Sequence, residues 1–167
     1  MMTQEFISNI EADTYSLLKE SFGSESISYP VDLNKVAKRC GLKIKFVTFK
    51  QDNVDGAFSR KKNEIYVNSS APLSRKLFTI AHELGHYFLH SDIEQDIFLR
   101  SDRISSTGDK EKEQAANWFA AALLMPKKAF LDYWEWCSDL DIISEMFGVS
   151  YSAAYYRAKN LGLKING

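Results

Sequence analysis

His82 and His86 stand four residues apart with Glu83 between them, inside the apolar stretch Phe78-Thr-Ile-Ala-His-Glu-Leu-Gly-His-Tyr-Phe-Leu89. Residues four apart on an α-helix are offset by only about 40° and rise about 6 Å, so both imidazoles lie on one face. Leu77, Ile80, Ala81, Leu84, Tyr87 and Phe88 give that helix a broad apolar face, which buries it. Two buried histidines and a buried glutamate need partners, and a metal ion is the economical one. The spacing suits Zn²⁺, with His82 and His86 as ligands and Glu83 placed to act as general base on a water.

A catalytic zinc takes three protein ligands and keeps one position open. His90 continues the same helical face, but His82 and His90 would rise about 12 Å apart and converge poorly on one ion. His90 is therefore read as a helix-end group, or as a support for a ligand. On the next helix Asp109, Glu111 and Glu113 compete for the third place. Glu113 is followed by Ala115 and Ala116, small enough for close approach of two helices, and by Asn117 on its own face. The Asn117 amide could orient a ligand histidine.

The chain has 167 residues, 45% of them hydrophobic and 13% aromatic, which suits one ordinary folded domain. Its formal net charge of −1 provides no field to hold a polyanion, so the composition argues against direct DNA binding. The start MMTQEFISNIEAD lacks a signal-peptide pattern, and the apolar run Trp118–Met125 is too short to span a bilayer. Cys40 and Cys137 form no paired motif and read as reduced thiols, so a cytoplasmic protein without membrane partners is expected.

Periodicity predicts a helix over 3–22 stopped by Gly23, a short helix capped by Asp32 and closed by Gly41, and strands near 42–49, 56–59 and 64–68. Residues 91–108 are polar without a clear period and read as a loop. Helices are predicted over 109–124, 127–137, 139–147 and 151–161. The expected fold is α+β, a small antiparallel three-stranded sheet packed on a mainly helical domain with a helical C-terminus. A single domain over 1–167 divides into N-terminal helices and sheet (1–70), metal-site helices (72–126) and a C-terminal element (127–163).

Four stretches carry a family resemblance: Pro30-Val-Asp-Leu33; Gly56 with Ile65-Tyr-Val-Asn68; Phe78 to His86 with Leu89-His90; and Glu113-Gln-Ala-Ala-Asn-Trp-Phe-Ala-Ala120 with Leu123-Leu-Met-Pro126. On these the chain resembles the ImmA/IrrE family of zinc metallo-endopeptidases over nearly its whole length. The resemblance implies a zincin-like fold and a gluzincin-like site with one Zn²⁺ held by His82, His86 and Glu113, and Glu83 as base. It also implies a helix-turn-helix transcriptional repressor as protein substrate, cleaved to induce mobile-element, prophage or stress genes. The alternative is a zinc-containing regulator that binds a repressor or DNA without cutting.

Residues 140–163 have the rhythm of a helix-turn-helix, with Gly148 in the turn and Ser150 as cap. Ile142, Ile143, Met146, Phe147, Val149, Ala153 and Leu161 account for it as packing, and the aromatics Tyr133, Trp134 and Trp136 read the same way. Tyr155 and Arg157 are candidates for stabilising the oxyanion of a tetrahedral intermediate. An extended substrate would add to a free strand beside the His82–His86 helix.

Overall fold

The structure, a computed structural model, describes residues 2–91, 97–101 (backbone only) and 110–165. Helix α1 (Gln4–Phe22) starts where the Thr3 hydroxyl accepts from the Phe6 amide and ends at Gly23. It buries Ile10, Thr14, Leu17, Leu18 and Phe22, the stripe that its sequence period demands. Helix α2 (Leu33–Arg39) begins with the Asp32 carboxylate accepting from the Asn34 amide. Strands β1 (Lys43–Val47), β2 (Val54–Ser59) and β3 (Glu64–Asn68) follow, then α3 (Leu73–Leu89), β4 (Ile97–Ser101) and α4 (Lys110–Leu124). Three further helices, α5 (Lys127–Trp136), α6 (Leu140–Phe147) and α7 (Tyr151–Asn160), complete the order.

The α+β class holds, but the sheet differs from expectation in two ways. It is mixed rather than antiparallel, in the order β1-β3-β2-β4, with β1 parallel to β3 and β2 antiparallel to both β3 and β4. Only residues 48–53 join β1 to β2, so β1 ends near where β2 begins and runs opposite to it; placed on the far side of β3, it is therefore parallel to β3. Alternation within residues 42–49 identifies a strand but says nothing of its neighbour. The second difference is β4, which lies within the segment read as loop. Five residues with no periodic flank are too short to announce a strand; β4 exists through pairing with β2.

Strand β2 is central, and every one of its residues is buried. It lies under α3, and Gly56 is the point of closest approach. A Cβ there would run into Thr79 Cγ2 of α3 and come within 2.8 Å of the Tyr66 carbonyl oxygen. Only glycine lets β2 and α3 pack at this distance. On its other flank α3 packs on α4, which also leans on α1. Ile80, Ala81, Leu84, Phe119, Ala120 and Leu123 are all nearly inaccessible at these contacts. Helix α3 is therefore clamped between a sheet and a helix, which is why Thr79 to His86 are buried all round.

The C-terminal hairpin has the caps its sequence announces. Asp139 accepts from the Asp141 and Ile142 amides, Ser150 accepts from Ala153, and Gly148 takes the left-handed conformation between them. Phe147 stacks on Phe130 of α5, which stacks in turn on Trp134, so part of the Tyr133–Trp136 run is packing. Trp136 itself is exposed. Among the described residues, no helix is long and apolar enough to cross a membrane.

Candidate metal centre

Because His82 and His86 lie one turn apart on the buried face of α3, their rings meet edge to face with the Nε2 atoms 3.0 Å apart. Glu113, in the first turn of α4, completes a triangle. One carboxylate oxygen lies 3.1 Å from His82 Nε2 and the other 3.1 Å from His86 Nε2. These are the residues among those described whose donor atoms come together as a metal could use them. Three atoms sharing a tetrahedral zinc at about 2 Å stand about 3.3 Å apart, close to the observed edges. Two imidazole nitrogens and one carboxylate also form the donor set of a catalytic rather than a closed structural zinc site.

Protonation supports the same use. His82 Nδ1 lies 2.8 Å from Asn117 Oδ1, an oxygen that only accepts, so the ring proton sits on Nδ1 and Nε2 offers its lone pair to the centre. Burial would raise the Glu113 carboxyl, but hydrogen bonds and charge from His82 and His86 outweigh it and hold the group well below the usual carboxylate range. Those hydrogen bonds need a proton on Nε2, which the neutral ring lacks; a metal cation would take that proton's place between the carboxylate and the nitrogen lone pair. The residues present fit a zinc ion.

Glu83 adjoins the first histidine on α3 and is 1% exposed. Its carboxylate is not part of the triangle. His90 caps the C-terminal end of α3, is buried, and sets its Nδ1 3.0 Å from His86 Nδ1. Glu111 is exposed and outside the cluster, and Asp109 lies outside the described residues.

The two oxyanion candidates fare differently from the sequence expectation. Arg157 is buried with its whole guanidinium engaged. Its Nε donates to the Met125 carbonyl, and both terminal nitrogens donate to the Glu11 carboxylate. That pairing ties α7 to α1 and to the end of α4, so Arg157 is a structural clamp and not an oxyanion donor. Tyr155 packs edge to face on Tyr156 of its own helix, and α7 packs chiefly on α6. Nothing in those contacts brings the Tyr155 hydroxyl to the triangle. A groove of about 1190 Å³ runs between α1, α3, α4 and α7 with Asn117 in its wall; His82, Glu83, His86 and Glu113 do not line it.

Two contributors left no signal in the sequence. Gly85 leaves room for α4, since a Cβ would come within 3.1 Å of the Ala116 Cα and carbonyl oxygen and 3.2 Å of Phe119 Cβ. Those partners are mostly backbone and do not swing aside. A Gly85→Ala variant gains about 1 kcal/mol of helix propensity but strains this contact by about 1–3 kcal/mol. Moving α4 away would relieve the strain and withdraw Glu113. Zinc affinity is expected to fall about tenfold or more with the helical circular-dichroism signal kept, as read by titration against a chromophoric chelator. The other contributor is Arg60, in the β2–β3 turn, which donates to the His90 carbonyl oxygen at 3.2 Å and lies over the rings of Phe58 and Tyr87.

The family model described as the IrrE N-terminal-like domain matches residues 37–159. The radiation response metalloprotease IrrE of Deinococcus radiodurans is 37% identical over 84 residues, covering 48% of this chain and 25% of that protein. A solved Mycobacterium tuberculosis transcriptional regulator superposes with a TM-score of 0.69 at 20% identity, covering 90% of this chain and 46% of the other. The latter likeness is one of fold. The matches thus span about a quarter of the curated relative and under half of the regulator.

Proposed function

Since this chain belongs to the ImmA/IrrE family, whose IrrE N-terminal-like domain model covers residues 37–159, we propose that it is a zinc-dependent endopeptidase acting on a helix-turn-helix transcriptional repressor. The observation that carries the catalytic part is the convergence of His82, His86 and Glu113 within 3.0–3.1 Å, beside the buried Glu83. His82, His86 and Glu113 would hold the ion. Bound there, zinc supplies Lewis acidity, bringing the pKa of a water to about 7 and polarising a carbonyl.

The remaining work falls to the chain itself. Asn117 keeps the His82 proton on Nδ1, so Nε2 faces inward at no cost at the moment of reaction. Glu83 takes a proton from the attacking water on its carboxylate and returns it to the leaving amide nitrogen, converting a poor leaving group into an amine. Burial of His82, Glu83 and His86 excludes competing solvent and strengthens each of these interactions.

The substrate class comes from the family resemblance, and the near-neutral surface is consistent with a protein rather than a polyanion as target. The test is to incubate the zinc-loaded chain with the repressor encoded nearest its gene and follow the products by mass spectrometry. One defined cut is expected, abolished by a chelator and restored by zinc. Stoichiometric zinc with an uncut repressor, whose DNA binding nevertheless weakens, would favour the non-proteolytic regulator instead.

A further inference from the structure

The two histidines of the triangle are held from behind by different chemistries. His82 leans on an amide oxygen, which can only accept, so its tautomer is fixed. His86 leans on a second imidazole, with Nδ1 facing Nδ1 at 3.0 Å, and such a pair holds one proton between the two nitrogens. With that proton on His86, the His86 Nε2 lone pair points at Glu113 and His82. With it on His90, His86 must carry its own proton on Nε2, directed into the triangle where a metal would sit.

From this we propose that His90 is the positioning residue for His86: presented as an acceptor at Nδ1, it selects the metal-binding tautomer and fixes the ring plane. The proposal rests on the zinc reading above. Three features make the contact a built one. His90 is 5% exposed, so water does not compete for its Nδ1. As the C-cap of α3 its amide bonds to the His86 carbonyl oxygen at 3.2 Å, which sets its backbone relative to the ring it supports. Arg60 holds the His90 carbonyl oxygen from the β2–β3 turn, so the sheet and not only the helix decides where the imidazole stands. Arg60 is thus a positioning residue one step further out.

The test compares His90→Asn, whose amide oxygen can occupy the place of Nδ1 and only accepts, with His90→Leu, which cannot hydrogen-bond. Zinc affinity is measured by chelator competition, ligand geometry by the visible spectrum of the Co²⁺-substituted protein, and apoprotein stability by thermal melting. Loss of a group that orients a metal-binding histidine costs about 10- to 100-fold in affinity. His90→Leu is expected to show that loss with an altered Co²⁺ spectrum. His90→Asn is expected to stay within about threefold of native with the native spectrum. Equal affinity in all three proteins, or equal loss in both variants, overturns the proposal, the second outcome marking His90 as packing alone. Should the leucine chain not fold, His90→Phe, which keeps the ring's bulk, replaces it, and His90→Asn must still bind as native. No substrate is needed. If the native chain itself binds no zinc, the function proposed above fails; if it binds and His90 makes no difference, only this inference fails.

Discussion

Purified Glu83→Gln protein is expected to bind zinc with native stoichiometry while cleaving its substrate about 10² to 10⁴ times more slowly, the range that one positioned acid–base group contributes. Glutamine has the size and shape of glutamate, and Glu83 is not among the groups that converge on the ion, so the triangle of His82, His86 and Glu113 keeps its edges. What is lost is proton affinity, because an amide oxygen at neutral pH does not take a proton from water. Exchanging a buried carboxylate for an amide also introduces a buried NH2 group that needs acceptors, at a cost of about 1–3 kcal/mol in stability. Cleavage must therefore be measured well below the melting temperature of the variant. His82→Ala is the necessary contrast: it removes a ligand, so zinc and activity disappear together. A Glu83→Gln chain that cuts at the native rate removes Glu83 from the mechanism, and one that loses zinc makes it part of the metal's support.

How much of this could be read from the chain depends on how far apart the cooperating residues are. His82, Glu83 and His86 are legible because a single helix fixes their relation, and the Glu113–Asn117 pair for the same reason. The approach of the two helices was only hinted at by Ala115 and Ala116. Gly85, which makes that approach possible, is explained by atoms about thirty residues away. The parallel pairing of β1 and the existence of β4 are properties of strand partners, which alternation along one segment does not encode. Arg157 shows the limit most plainly. On a helix-turn-helix-like segment it resembles a surface group waiting for a substrate, yet its partner Glu11 lies 146 residues earlier. No local pattern relates the two; only the completed fold brings them together.

That pair makes the other large effect. Glu11→Gln is expected to lower stability by about 3 kcal/mol, visible as a shift in the denaturant midpoint without a change in slope. Arg157 is 1% exposed, and removing its counter-charge leaves a guanidinium that water cannot reach. The estimate takes the low end of the range for broken buried pairs because the Glu11 side chain remains 20% exposed. Glutamine still offers an oxygen to Trp118 Nε1, which donates to Glu11 at 3.1 Å, so the loss reports on charge more than on hydrogen-bond count. The pH dependence has a definite sign. Burial raises the Glu11 carboxyl, but Arg157 outweighs it and the folded value lies below the ordinary one. Stability from the pair is therefore complete above the unfolded carboxylate value, about 4.3, and is lost as pH falls through the folded value. The gap between native and Glu11→Gln should be constant near neutrality and shrink in acid. A Glu11→Leu, Arg157→Met double variant should recover only part of the loss. Apolar replacement removes the buried charge, but the Met125 carbonyl and Trp118 Nε1 lose their partners too. If the double variant is instead more stable than native, the pair is dispensable for stability. If Glu11→Gln costs nothing at neutral pH, Arg157 is not the clamp that its contacts describe, and its release toward a substrate becomes the reading to pursue.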